Sequence, residues 1–134
     1  MLRTKAGRAL AAGIAGLGLA VALFAPAALG HPSATTPPLV GNSKAGKVVF
    51  LSTCGACHTL KAAGTQGQIG PNLDKVKPAL TQALLIKAIT NGGASIMTKA
   101  AIAKYTTQMQ PYKYLGTKSI QNISRYVYES THGM

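Results

Sequence analysis

Cys54-Gly55-Ala56-Cys57-His58 constrains this chain more than any other stretch of it. Two thiols three residues apart, followed at once by an imidazole, have the spacing of a covalent haem-attachment site. The chemistry explains the spacing. Each thiol can add across one vinyl group of the macrocycle as a thioether, and the next residue then carries a neutral ring nitrogen beneath the iron. The chain has two cysteines and both are used here. A redox CxxC disulfide is the first alternative and belongs beside a βαβ pattern. Half of a zinc site is the second and requires two further ligands at similar spacing. Neither context is present, since there is no second cysteine pair and His31 and His132 are not spaced as ligands.

The N-terminus sets the expected compartment. Arg3, Lys5 and Arg8 precede an uncharged run at residues 9–29, which ends in Ala27-Ala28-Leu29-Gly30 with small residues at Ala28 and Gly30. This pattern predicts an export signal at residues 1–30, cleaved after Gly30. An uncleaved N-terminal anchor is the alternative, because the uncharged run is long enough to cross a bilayer. Pro26 and the Ala/Gly richness favour processing. Either way the functional domain is expected outside the cytoplasmic membrane, in the periplasm or an equivalent extracytoplasmic space. Residues 31–41, opening with His31-Pro32-Ser33-Ala34-Thr35-Thr36-Pro37-Pro38, read as a flexible linker. Residues 42–134 then form one small domain without internal repeats.

The chain carries 14 basic and 2 acidic side chains, a formal charge of +12. Without Arg3, Lys5 and Arg8 the remainder holds 11 basic against 2 acidic residues, or +9. Such a surface suits nucleic acid, an anionic membrane or an acidic protein. Export argues against nucleic acid. The lysines are spread from Lys44 to Lys118, so most of them read as solvated faces that keep a small protein in solution.

Periodicity predicts helices and no convincing strands. Asn42 or Ser43 caps a first helix with Ala45, Val48, Val49 and Ser52 on one face and Gly46 and Phe50 beside them, running into the cysteine motif. Gly64, Gly67, Gly70 and Pro71 mark residues 59–77 as a loop with little regular structure. A second helix is expected over residues 78–91, with Pro78 at its first position and Gly92-Gly93 ending it. Thr98 caps a shorter one over residues 99–105. Thr117 caps a last one, with Ile120, Ile123 and Val127 sharing a face, that reaches Glu129 and leaves His132 and Met134 in a frayed tail.

In this order the parts resemble the class I cytochromes c, the small bacterial monohaem type, over roughly residues 42–130. The haem motif anchors the resemblance. Gly70-Pro71-Asn72-Leu73, Ile89-Thr90-Asn91-Gly92, Met109-Gln110-Pro111-Tyr112 and Ile123-Ser124-Arg125-Tyr126-Val127-Tyr128 support it by their order. The resemblance implies an all-α cytochrome c fold, about four short helices wrapped around one covalent haem c. It implies a first and last helix crossing at Gly46 and Tyr126, and a backbone carbonyl of Pro71 that accepts the second N–H of His58, with Leu73 packed on the porphyrin. His58 is the implied axial ligand, and the sixth ligand is Met109, the Met shortly before a Pro near the last helix. Gln110 stands where many relatives place that Pro directly, and Met97 is the competing ligand. Tyr105, Tyr112 and Tyr114 either reach a haem propionate or fill the rim of the site.

A saturated His/Met iron implies a non-enzymatic electron shuttle of a respiratory chain, monomeric, with redox partners that carry acidic docking faces. Two other readings remain beside it: an enzyme or sensor with an open iron, and the electron-entry subunit of a larger complex.

Overall fold

The computed structural model describes residues 37–134. The expected export signal at 1–30, and the linker through residue 36, lie outside the described residues. Helix α1 (Ser43–Thr53) begins after Asn42, whose extended backbone and side-chain oxygen let it accept from the Ala45 N–H at 3.0 Å. That bond satisfies one of the donors every helix start leaves orphaned. The face α1 buries is not the one its own periodicity suggested. Gly46 and Phe50 are buried and Val49 half-buried, while Val48 is 68% exposed and Ser52 is exposed.

The partner helix decides this. On α4 (Gly116–His132), the backbone of Asn122 lies so close that a Cβ at Gly46 would overlap the Asn122 carbonyl oxygen and stand 2.9 Å from the Cβ of Tyr126. Only glycine admits that approach. One turn along, the rings of Phe50 and Tyr126 meet edge to face with centroids 5.8 Å apart, the arrangement that ring quadrupoles favour. The expected crossing of first and last helices is therefore present. It continues into one core of Phe50, Leu60, Leu85, Ile89, Ile120, Ile123, Tyr126 and Val127.

Helix α2 (Gln82–Asn91) packs on α4 and starts later than expected, because Thr81 caps it by accepting from the Leu84 N–H at 3.3 Å. Pro78 accordingly lies upstream of the helix and not at its first position. Helix α3 (Lys99–Ile102) is capped by Thr98 as expected and stops short of Tyr105. Helix α4 enters from a 3-10 turn at Lys113–Leu115 without a side-chain cap, so Thr117 is not the cap. It runs past Glu129 to His132, whose ring stacks on Tyr128 with centroids 4.0 Å apart, and the expected fraying there does not occur. The loop between α1 and α2 holds a short antiparallel hairpin, β1 (Thr59–Leu60) and β2 (Thr65–Gln66), pairing Thr59 with Gln66 and Leu60 with Thr65.

The domain end of the linker is also tied down. Gln82 uses both ends of its buried amide on Val40, accepting from its N–H at 2.9 Å and donating to its carbonyl at 2.5 Å. The Asn42 N–H donates to Asn122 Oδ1 at 2.7 Å, and Arg125 donates to the Leu39 carbonyl at 2.9 Å. Leu39, Val40 and Asn42 are thus bonded to α2 and α4. Hydrogen bonding from Ser43 and then Arg125 holds the Glu129 carboxyl below the ordinary carboxylate range.

Candidate functional site: the cleft at the end of the first helix

The cysteine motif continues α1 as a turn. The Cys54 N–H donates to the Phe50 carbonyl at 2.8 Å, and the N–H groups of Cys57 and His58 both donate to the Cys54 carbonyl, at 3.1 and 3.0 Å. The hairpin closes over this turn from the other side. Thr65 Oγ1 donates to the His58 carbonyl and Thr59 Oγ1 to the Gly67 carbonyl, each at 2.8 Å. The Gly70 N–H donates to the Cys57 carbonyl at 2.8 Å.

His58 is buried, 8% exposed, and its Nδ1–H donates to the Pro71 carbonyl oxygen at 3.0 Å. Such a bond fixes the tautomer and the ring plane and leaves Nε2 as the basic nitrogen. Among the described residues Nε2 has no hydrogen-bond partner. Gly70 lets the ring lie flat on the backbone, since a Cβ there would stand 2.5 Å from His58 Cε1.

His58, Cys54 and Cys57 share one cleft with Met109, Tyr112, Ile69, Gly70, Thr53, Thr107, Gln108 and Gln110, enclosing about 180 Å³. Both thiols are free. Burial, and secondarily Cys57, push the Cys54 thiol up to about 11, so it is protonated at neutral pH. Tyr112 is pushed above the ordinary phenol range by burial first and then by Cys54, and its ring lies 5.7 Å from that of exposed Tyr114. Met97 and Tyr105 are half-buried and are not among the cleft's lining residues. Leu73 packs against the core and lines a separate hollow of about 20 Å³ with Asp74, Leu80 and Val127, too small for more than a water.

The donor set suits haem c. Two thiols stand on the same turn as a fixed imidazole, a thioether lines the same space, and the walls between are largely apolar. No third His, Cys, Asp or Glu joins Cys54, Cys57 or His58 in a metal-holding group among the described residues. Ile69, Thr107 and Gln108 are lining residues that the sequence did not single out. Their signal was only their place beside Gly70 and Met109.

A small all-α domain with a CxxCH turn at the mouth of such a cleft defines a haem c protein. The family profile described as Cytochrome c matches residues 43–130, and the chain belongs to that family. Its members are haem c electron-transfer proteins, and haem c is held covalently. No curated protein and no solved structure matches the chain.

Proposed function

We propose that this chain is a one-electron carrier of a respiratory chain, exported across the cytoplasmic membrane, with an iron held by His58 and Met109. The observation that carries this reading is that Met109 lines the same cleft as Cys54, Cys57 and His58 whereas Met97 does not. Bound there, haem c supplies a one-electron ferric/ferrous couple. The chain supplies the rest. His58 Nδ1–H on Pro71 orients the imidazole and raises its basicity, and the Met109 thioether is a soft donor that favours the reduced metal. With both donors in place no position is left for a substrate, which confines the site to electron exchange. Among the described residues no helix is long and apolar enough to cross a membrane, which fits a domain that stands beside the bilayer, free or tethered by its N-terminus.

The test is optical. Reduced holoprotein should give the same spectrum with and without carbon monoxide and should titrate as a single one-electron couple. A shifted spectrum under carbon monoxide at neutral pH means an open iron and an enzyme or sensor instead.

Docking is expected to be electrostatic. Lys104 and Lys113, both exposed, bracket the cleft-lining segment at residues 107–112, and Lys61, Lys75 and Lys99 are exposed as well. Association with an acidic redox partner should fall steeply from low to physiological salt, because steering is screened over a Debye length of about 8–10 Å. Reversing Lys104 and Lys113 to Glu should slow association far more than reversing Lys44 and Lys118, in the first turns of α1 and α4. Stopped-flow rates settle the matter: equal effects from both pairs mean that net charge acts without a docking patch.

A further inference from the structure

The chain leaves α2 at Gly92 and does not reach Met109 directly. Residues 94–108 make an excursion that includes α3, in which Gln108 donates to the carbonyls of Ile102 and Tyr105 at 3.2 and 3.0 Å. The excursion is closed at its neck. The Gly93 N–H donates to the Met109 carbonyl at 3.1 Å, and the Tyr112 N–H donates to the Ile89 carbonyl at 2.8 Å. Between these two bonds Met109 is pressed against the glycine pair. A Cβ at Gly92, whose φ is +88°, would stand 2.7 Å from the Met109 carbonyl oxygen. One at Gly93 would stand 3.1 Å from the Met109 Cβ and 3.8 Å from its sulfur. Ser95 tightens the same turn, its hydroxyl donating to the Gly92 carbonyl at 2.7 Å.

We propose that Gly93 is a positioning residue for Met109: the Gly92-Gly93 turn, clasped by Ser95, is the surface against which the methionine is set so that its sulfur enters the cleft at a fixed height. The proposal rests on the reading of Met109 as an axial ligand. Its physical basis is that a side chain delivered by a long excursion has no position of its own. The neck hydrogen bonds fix the backbone of Met109, and the missing Cβ at Gly93 leaves room for its first carbons on one side only. Gly93 has an ordinary φ, so a substitution there tests contact without backbone strain.

The test uses holoprotein of Gly93→Ala, Ser95→Ala and Gly64→Ala, with Met109→Ala as the ligand control. Gly64 has open space around a Cβ and a φ of +70°, and so reports generic backbone strain. In Gly93→Ala the near-infrared sulfur-to-iron band should weaken, and carbon monoxide should bind the ferrous protein at a rate at least roughly tenfold above the detection limit within which wild type stays inert, the scale of effect that a misplaced group of under 1 Å produces. Ser95→Ala adds no atoms and should move both readouts the same way by roughly threefold, as expected for one lost neutral hydrogen bond. Gly64→Ala should leave both unchanged. Wild-type bands and carbon monoxide inertness in Gly93→Ala and Ser95→Ala overturn the proposal, and should Gly93→Ala not fold, Ser95→Ala alone decides. Loss of the band in Met109→Ala with no change in the other two overturns only the positioning role. Its survival in Met109→Ala overturns the ligand reading beneath it.

Discussion

Replacing Cys54 and Cys57 together with Ser is expected to turn a protein that stays coloured after acid-acetone extraction into one that loses all its haem. The effect is all-or-none because the thioethers are the only covalent bonds to the cofactor, and a hydroxyl does not add across a vinyl group under the same conditions. Each single variant keeps one thiol and should retain covalent haem in reduced yield, since Cys54 and Cys57 sit on one turn and line the same cleft. Mass spectrometry checks this: intact wild type should exceed its bare polypeptide by one haem, and the double variant by none. Haem that washes out of wild type after expression with the attachment machinery would overturn the assignment.

The double variant also separates fold from cofactor. The contact of α1 with α4 at Gly46, Asn122 and Tyr126 is made by no residue of the cleft, whereas Cys54, Met109 and Tyr112 of the cleft pack against the core that it continues into. That half of the molecule can hold helix without haem. The cleft half has less support, since Ile69 is 52% exposed and Met109, Tyr112 and Cys54 are only partly buried.

Which parts were legible in the sequence follows from how local their physics is. The cysteine motif was readable because its chemistry is completed within five residues. The cap at Asn42 and the glycine stop after Asn91 were readable for the same reason. The crossing at Gly46 and Tyr126 came from family resemblance, and α1 shows why periodicity missed it. Its apolar residues mark a face through Val48, yet burial follows Gly46, whose value lies in what it lacks. Pro78 suits a first turn and so points to an early start for α2, while Thr81, the better cap three residues on, sets the actual one. The hairpin went unread because its strands are two residues each and are held by Thr59 and Thr65 side chains as much as by pattern. Leu73 packs against the core, as Met109 and Tyr112 do, and lines the small hollow with Val127. The neck that sets Met109 against Gly93 joins residues on either side of an excursion, and no local signal announces it.

Met109→Ala should produce the second large change. On the proposed ligation, removing the thioether would take away the soft donor that lines the cleft with His58 and open the metal to water or a weak ligand. The potential should fall on the order of a hundred millivolts or more, a fraction of the roughly 0.8 V over which axial ligands set haem potentials. The near-infrared band should vanish, and ferrous protein should bind carbon monoxide where wild type does not. The fold should survive, because Met109 is only partly buried and the neck bonds to Gly93 and Ile89 are made by backbone. Met97→Ala is the matched control: Met97 is half-buried beyond the 3-10 turn at Gly93–Ile96 and outside the cleft lining, so its loss should leave potential, band and carbon monoxide response unchanged. If the two variants exchange phenotypes, the ligand is Met97, and the excursion at residues 94–108 must then refold to bring it into the cleft. Circular dichroism of the two holoproteins distinguishes that rearrangement from a simple loss of ligand, because only the former disturbs α3 and the turn that follows Gly92.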